Sequence, residues 1–263
     1  MSSKIDSLKK LVVGFGRVCV ALSGGLDSSV LLAFCAQTLG AKNCTAITAV
    51  MPYAMQSECS FAETLCKKLG VKLVKISEEN IPTEILYNPP ERCYLCKKNI
   101  FGKFKKAAIS LEAGVLCDGT TADDLSDYRP GMKALKELGV KSPFLECGVG
   151  KDLIRQIARE ILPEVAEKPA YACLLTRLEH GRKIETKTLK KIDGFEGYLR
   201  SLDIGKVRAR TDGNSVRIEC NVGDFEKVVK NAAQINKEAS SLGFKRCSLD
   251  LAGYKTGSMN VRI

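Results

Sequence analysis

Three short apolar runs alternate with segments of helical length in the first eighty residues. The runs are RVCVAL (17–22), CTAITAV (44–50) and VKLVKI (71–76), and SSVLLAFCAQTL (28–39) and SECSFAETLCKKLG (57–70) lie between them. Strands separated by helices need crossover connections, and strands joined that way lie parallel, with helices covering both faces of the sheet. GVLCDG (114–119) and KSPFLEC (141–147) read as two more strands, followed by a helical KDLIRQIAREIL. After residue 184 the pattern changes. A helix over 186–201 leads into KVRART, an Asp212-Gly213 turn, SVRIECN, a helix over DFEKVVKNAAQINKEASSLG and a last strand in FKRCSLDLAGY. The expected fold class is therefore α/β, a parallel sheet with helices on both faces over 1–180, followed by a smaller α+β domain over 181–263.

With 263 residues and 45% hydrophobic content, the chain can bury one large core or two modest ones. No apolar run approaches the roughly 20 residues of a membrane helix, and MSSKIDSLKKLVVGFG lacks the features of a secretory signal, so a cytoplasmic location and no membrane partner are expected. Cytoplasmic thiols stay reduced, so the twelve cysteines point to metal ligation or sulfur chemistry rather than disulfides. A net charge of +11 favours anionic partners such as nucleotides, phosphates or RNA, although a generally basic surface explains it equally well. His180 is the only histidine, which excludes a Ser-His-Asp machine and a His-rich zinc site.

The strongest chemical motif is VALSGGLDSSV (20–30), placed where the first strand ends and the first helix begins. Gly24 and Gly25 allow a tight turn with exposed amides. The hydroxyls of Ser23, Ser28 and Ser29 and the positive end of the helix complete a phosphate cradle. Asp27 beside phosphate calls for a Mg²⁺ ion between them. The pattern G-x-x-x-x-G-K-[ST] is absent, which argues against transfer of a γ-phosphate. The stretch resembles the SGGxDS loop of the PP-loop ATP pyrophosphatases, which cleave ATP between the α and β phosphates and leave an adenylate on the substrate. That resemblance assigns the adenine pocket to the strand end near Met51 and to the Gly119-Thr120 turn.

Adenylation prepares a carboxyl or amide oxygen for displacement by a nucleophile, either ammonia or a sulfur species. Ammonia from glutamine would need a further domain, whereas the many cysteines make sulfur the more economical choice. Cys93 and Cys96 in NPPERCYLCKK have the spacing of a half-site for zinc or an iron–sulfur centre, and Cys173 in KPAYACLLTRL is a third candidate. Cys19, Cys35, Cys44 and Cys117 lie in apolar segments and read as core residues. Arg208 and Arg210 alternate on a strand and share a face that could clamp a phosphate, as could Arg177 beside Cys173; a structural role competes for each.

Five segments together resemble one family: ALSGGLDSSVLL, DGTTADDLSDYRPGMKAL, KPAYACLLTR, KVRAR with VRIEC, and LDLAGYKTGSMN. They are similar to the LarE sulfur transferases, which make the nickel-pincer nucleotide cofactor of lactate racemase. The resemblance implies that MgATP adenylates the carboxylates of a pyridinium biscarboxylic acid mononucleotide and that sulfur then replaces oxygen to give thiocarboxylates. In many members the cysteine matching Cys173 gives up its own sulfur. The additional Cys93/Cys96 pair resembles the subset in which three cysteines hold a 4Fe-4S cluster whose open iron carries sulfide. The same resemblance offers Asp123, Asp124, Asp127 and Arg129 as contacts for the nucleotide or its metal, against a reading as helix caps in a solvated loop. It also implies a homo-oligomer and an external sulfide or sulfur-donor system.

Three alternatives remain at the level of sequence. A structural zinc at Cys93/Cys96 would leave Cys173 as a sacrificial donor. A tRNA thiolase would share the loop and the cluster, but the basic residues are dispersed among acids, so nucleic acid is not the expected partner. A cluster-bearing nucleotide sensor would release no pyrophosphate.

Overall fold

The structure, a computed structural model, describes residues 2–126, 129–169 and 172–255. The expectation for Asp127 and the KTGSMN end of the last motif, from Thr256 onward, fall outside the described residues. The chain divides into two compact units, residues 1–79 with 91–171, and residues 80–90 with 172–263.

In the first unit, β1 (Val18–Ala21), β2 (Cys44–Val50), β3 (Lys72–Ser77) and β4 (Val115–Cys117) form an all-parallel sheet in the order β3-β2-β1-β4. The helices are α1 (Ser2–Phe15), α2 (Leu26–Leu39), α3 (Gln56–Leu69), α4 (Arg92–Ser110), α5 (Gly131–Leu138), α6 (Pro143–Glu146) and α7 (Lys151–Ile161). Successive side chains of a strand point to opposite sides, and in the central strand β1 both sides are buried. Val18 and Val20 of β1 join a core with Leu8 and Val12 of α1, Leu31 and Leu32 of α2, and Ile154 and Ile157 of α7. Cys19 and Ala21, the intervening residues, join the opposite core with Ile100, Phe101 and Phe104 of α4 and Leu135 of α5. Each large apolar side chain removed from water in these two layers contributes about 1.5–3 kcal/mol.

KSPFLEC does not form the expected strand. Only Lys141 bridges β4, exchanging bonds with Leu116 and Asp118, and residues 143–146 turn into α6. Pro143 has no N–H to continue a ladder, and its fixed φ suits the first turn of a helix. Three helices, α1, α4 and α5, were not legible from apolar runs.

In the second unit, β5 (Arg208–Thr211) and β6 (Ser215–Glu219) form the anticipated hairpin, and β7 (Arg246–Leu249) adds parallel to β6. At the turn, Asp212 accepts the amides of Asn214 and Ser215, and Gly213 takes the positive φ that a side chain resists. α8 (Thr186–Ser201) packs on β5, and α10 (Ala232–Ser241) packs on β7. The long C-terminal helix expected from the sequence is broken at Asn231 into α9 (Phe225–Lys230) and α10. The segment 80–90 joins this unit through Asn88, which is fully buried. Its amide donates to the carbonyls of Leu175, Leu178 and Glu179.

Candidate nucleotide-binding site

The strand order defines where a ligand can enter the first unit. From β1 the chain winds outward through β2 to β3, then crosses back so that β4 lies on the other side of β1. The helices following β1 and β4 therefore diverge, leaving a crevice at the carboxyl ends of these two strands, the usual ligand position in open parallel sheets. The Ser23–Ser29 loop and the Gly119-Thr120 turn both lie there. They touch, since a Cβ on Gly119 would meet the Ser28 amide nitrogen at 2.8 Å.

The loop is held by its own side chains. Ser23 and Ser28 share a hydroxyl–hydroxyl bond of 3.0 Å, the Ser23 amide donates to Ser28 Oγ, and the Gly25 amide donates to Ser23 Oγ. Gly24 has φ +85°, and any Cβ there would lie 2.3 Å from the Glu58 carbonyl oxygen. Conformation and space both demand glycine. Gly25 precedes α2, whose first-turn amides have no partner within the helix and favour an anion. Lys168 adds a clamp: its ammonium donates to the Gly24 carbonyl at 2.6 Å, pairs with Glu58 at 2.8 Å and stands 4.0 Å from the centre of the Phe61 ring.

Asp27 occupies the first turn of α2. Burial pushes its carboxyl above the ordinary range. Lys151, bonded to Oδ2, pulls it back, Asp124 raises it further and Arg129 opposes that. Asp27 Oδ1, Ser29 Oγ and Thr121 Oγ1 are buried without a hydrogen-bond partner. A buried polar atom without a partner carries a cost that a bound ligand removes. All three belong to the segments that follow β1 and β4.

The second wall is ordered by Asp118, which accepts the hydroxyls of Thr120 at 2.5 Å and Ser142 at 2.6 Å. Asp124 accepts the Thr121 amide at 2.8 Å and pairs with Arg129 at 3.0 Å, while Asp123 caps α7 by accepting the Lys151 amide at 2.5 Å. Asp123 and Asp124 thus do the capping that the plain reading assigned to them, at the side of the crevice. Met51 directly follows β2 and is half-buried.

Cys93 and Cys96 occupy the first turns of α4, one turn apart and so on one face. Cys93 is exposed and Cys96 half-buried. Burial pushes the Cys96 thiol up, while the Tyr53 hydroxyl, 3.5 Å from its sulfur, acts in the opposite direction. Two thiols one helical turn apart on one face have the spacing of half a metal site. Among the described residues no three or more His, Cys, Asp and Glu side chains gather as a metal-holding group.

Cys173 belongs to the second unit, exposed at the start of the 3-10 turn Leu174–Arg177. Arg177 is not an open phosphate clamp here. Its side chain is completely buried, two of its nitrogens pair with Glu196 at 2.7 and 2.8 Å, and the third donates to the carbonyls of Ala172 and Cys173. It braces the backbone that presents the Cys173 thiol. Arg210 pairs with Glu219 at 3.0 Å and also donates to the Thr176 carbonyl. Arg208 is buried, with its guanidinium over the Tyr254 ring. Cys19, Cys35, Cys44 and Cys117 are buried core residues, as expected.

Lys151, Lys168, Glu58 and Asp118 had not been singled out in the sequence. Lys151 does carry a signal, because a cation at the first position of a helix opposes the helix dipole and so suggests a specific partner.

The family model for NAD synthase matches residues 2–101, which include the Ser23–Ser29 loop. An uncharacterized protein of Methanocaldococcus jannaschii is 36% identical over 91% of each chain, and one of Synechocystis is 33% identical over 99% of this chain and 98% of its own. The pyridinium-3,5-bisthiocarboxylic acid mononucleotide synthase of Lactiplantibacillus plantarum is 31% identical over 99% of this chain and 95% of its own. No helix among the described residues is long and apolar enough to cross a membrane. With a Ser-Gly-Gly-Leu-Asp-Ser loop at the switch of a parallel sheet and a relative matched from end to end, the chain belongs to the LarE family of PP-loop enzymes.

Proposed function

We propose that the protein is an ATP-dependent sulfur transferase acting on pyridinium-3,5-biscarboxylic acid mononucleotide and converting its carboxylates to thiocarboxylates. The observation that carries this reading is the match to the Lactiplantibacillus plantarum synthase, which spans both units. The Ser23–Ser29 loop with Asp27 is the place for MgATP, with Met51 and Gly119-Thr120 on the adenine side. A substrate carboxylate oxygen attacks the α-phosphorus. The α–β bridging P–O bond breaks, pyrophosphate leaves, and the carboxyl carbon is held as a mixed anhydride with AMP. Hydrosulfide adds to that carbon, its proton passes to solvent, and AMP departs with the C–O electron pair, leaving a thiocarboxylate. The loop amides and the α2 N-terminus stabilise charge gathering on the departing pyrophosphate.

Cys93, Cys96 and Cys173 are the thiolates that would hold a 4Fe-4S cluster, which when bound supplies an iron without a protein ligand for sulfide. Arg177 steadies the Cys173 segment from within the second unit. The exposure of Cys173 also suits the second reading, in which this residue donates its own sulfur. Arg208, Arg210, Arg129, Asp123 and Asp124 order the substrate and nucleotide sides. The enzyme is expected in the cytoplasm, as a homo-oligomer, with sulfide or a donor system as co-reactant.

Anaerobic purification with iron and sulfide analysis, followed by mass spectrometry of the Cys173 peptide after turnover, tests the proposal. An intact Cys173 with more than one product per chain is expected. Loss of its sulfur in step with product would replace the cluster route with the sacrificial one.

A further inference from the structure

Asp27 is half satisfied: Lys151 holds Oδ2, and Oδ1 is buried without a partner. Lys151 is also badly placed for a cation, at the first position of the eleven-residue helix α7. Its place is nevertheless firmly set. The Lys151 amide is bonded to Asp123, and a Cβ on the preceding Gly150 would lie 2.9 Å from the Asp123 carboxylate. The other charges acting on Asp27 are the buried Asp124 and its partner Arg129, so Arg129 already balances Asp124. Asp27 and Lys151 are left as one acid and one base, with both lone-pair positions of Oδ1 open.

We infer that Lys151 is a resident counter-ion, holding the cation position of Asp27 until a divalent metal arrives with the nucleotide. A divalent ion on Oδ1 and an ammonium on Oδ2 repel each other across one carboxylate, so metal entry loosens Lys151 and favours its departure. The phosphate oxygens of the nucleotide give the displaced ammonium a new partner. Metal and nucleotide binding are then coupled, each strengthening the other through the same lysine, and the coupling must be reciprocal. The lysine also opposes occupation of the loop by a bare metal and neutralises the half-buried carboxylate when the site is empty. This inference rests on the reading of the loop as a metal–nucleotide site.

The coupling predicts effects of opposite sign, which a merely structural lysine would not produce. Mn²⁺ binding is measured by electron paramagnetic resonance without nucleotide and then with ATP, for the full-length protein and for Lys151→Met and Lys151→Gln. Both variants are expected to bind Mn²⁺ alone about tenfold more tightly than wild type, a ratio within the usual range for coupled sites. Both are expected to bind ATP more weakly by calorimetry, with AMP affinity unchanged. Unchanged or weaker Mn²⁺ binding in a variant with native circular dichroism overturns the inference. If wild type binds neither Mn²⁺ nor ATP, the reading of the loop itself fails instead.

Discussion

Two carboxylates, Asp27 of the first unit and Glu196 of the second, are paired in opposite ways. At the carboxyl ends of β1 and β4, Asp27, Ser29 and Thr121 each bury a polar atom with no partner, and the Asp27–Lys151 pair remains partly open to solvent. In the second unit, Arg177 and Glu196 are sealed from water and answered donor for acceptor, and Arg210 and Glu219 nearly so. A fully paired buried ion couple stabilises or orders the fold around it. A partly paired carboxylate at a helix N-terminus, beside hydroxyls without partners, is arranged for something that is not part of the chain. The difference separates polar groups that serve the fold from those that wait for a ligand.

Gly24→Ala attacks the ligand side of the comparison most severely. The new methyl group would collide with the Glu58 carbonyl and force the loop to shift, and displacements of about 1 Å in a reacting site cost on the order of 100-fold in rate. A pyrophosphate-release assay with substrate should show this loss. The next largest effect is expected on the structural side. Glu196→Ala strands a buried guanidinium, at a cost of about 3–5 kcal/mol in denaturant unfolding, whereas Asp27→Ala stays within about 1 kcal/mol of wild type. Equal destabilisation by the two substitutions would break the distinction.

Alkaline pH provides a milder test of burial. Burial pushes the Cys44 and Cys66 thiols up to about 11 and Cys19 to about 12, against an ordinary value of 9.0. Folded pKa values above the unfolded ones mean that the unfolded chain releases protons first as pH rises. Stability from these groups is therefore complete below pH 9 and is lost as pH climbs toward 11 and 12. Unfolding midpoints that stay flat from pH 8 to 11 would contradict the packing described here. The smallest perturbation is brief iodoacetamide treatment of the cluster-free protein at pH 8. Cys93 and Cys173 should label first, and Cys19, Cys35 and Cys117 only after unfolding, as read by peptide mass spectrometry.

Much of the first unit was legible because its signals are local. The valine-rich runs alternate with helices, and Ser-Gly-Gly-Leu-Asp-Ser carries the turn, the hydroxyls and the acid within six residues. KSPFLEC misled because its apolar content resembles a strand, while Pro143 and the Ser142 bond to Asp118 commit it to a helical turn. Arg208 and Arg210 were read correctly as neighbours on one strand. Their alternation did not reveal that Glu219 lies across the hairpin from Arg208 and pairs with Arg210.

The sequence by itself determined the parallel sheet, the loop at its first strand end, the hairpin of the second unit and the buried character of four cysteines, since each follows from periodicity or backbone freedom within a short window. Tertiary structure alone decided which charges are consumed by the fold. Lys151 lies 124 residues from Asp27 and Lys168 lies 144 from Gly24, and no local pattern encodes such pairs. The crossover that brings β4 beside β1 joins them, and burial then determines which polar atoms find partners and which are left for a ligand.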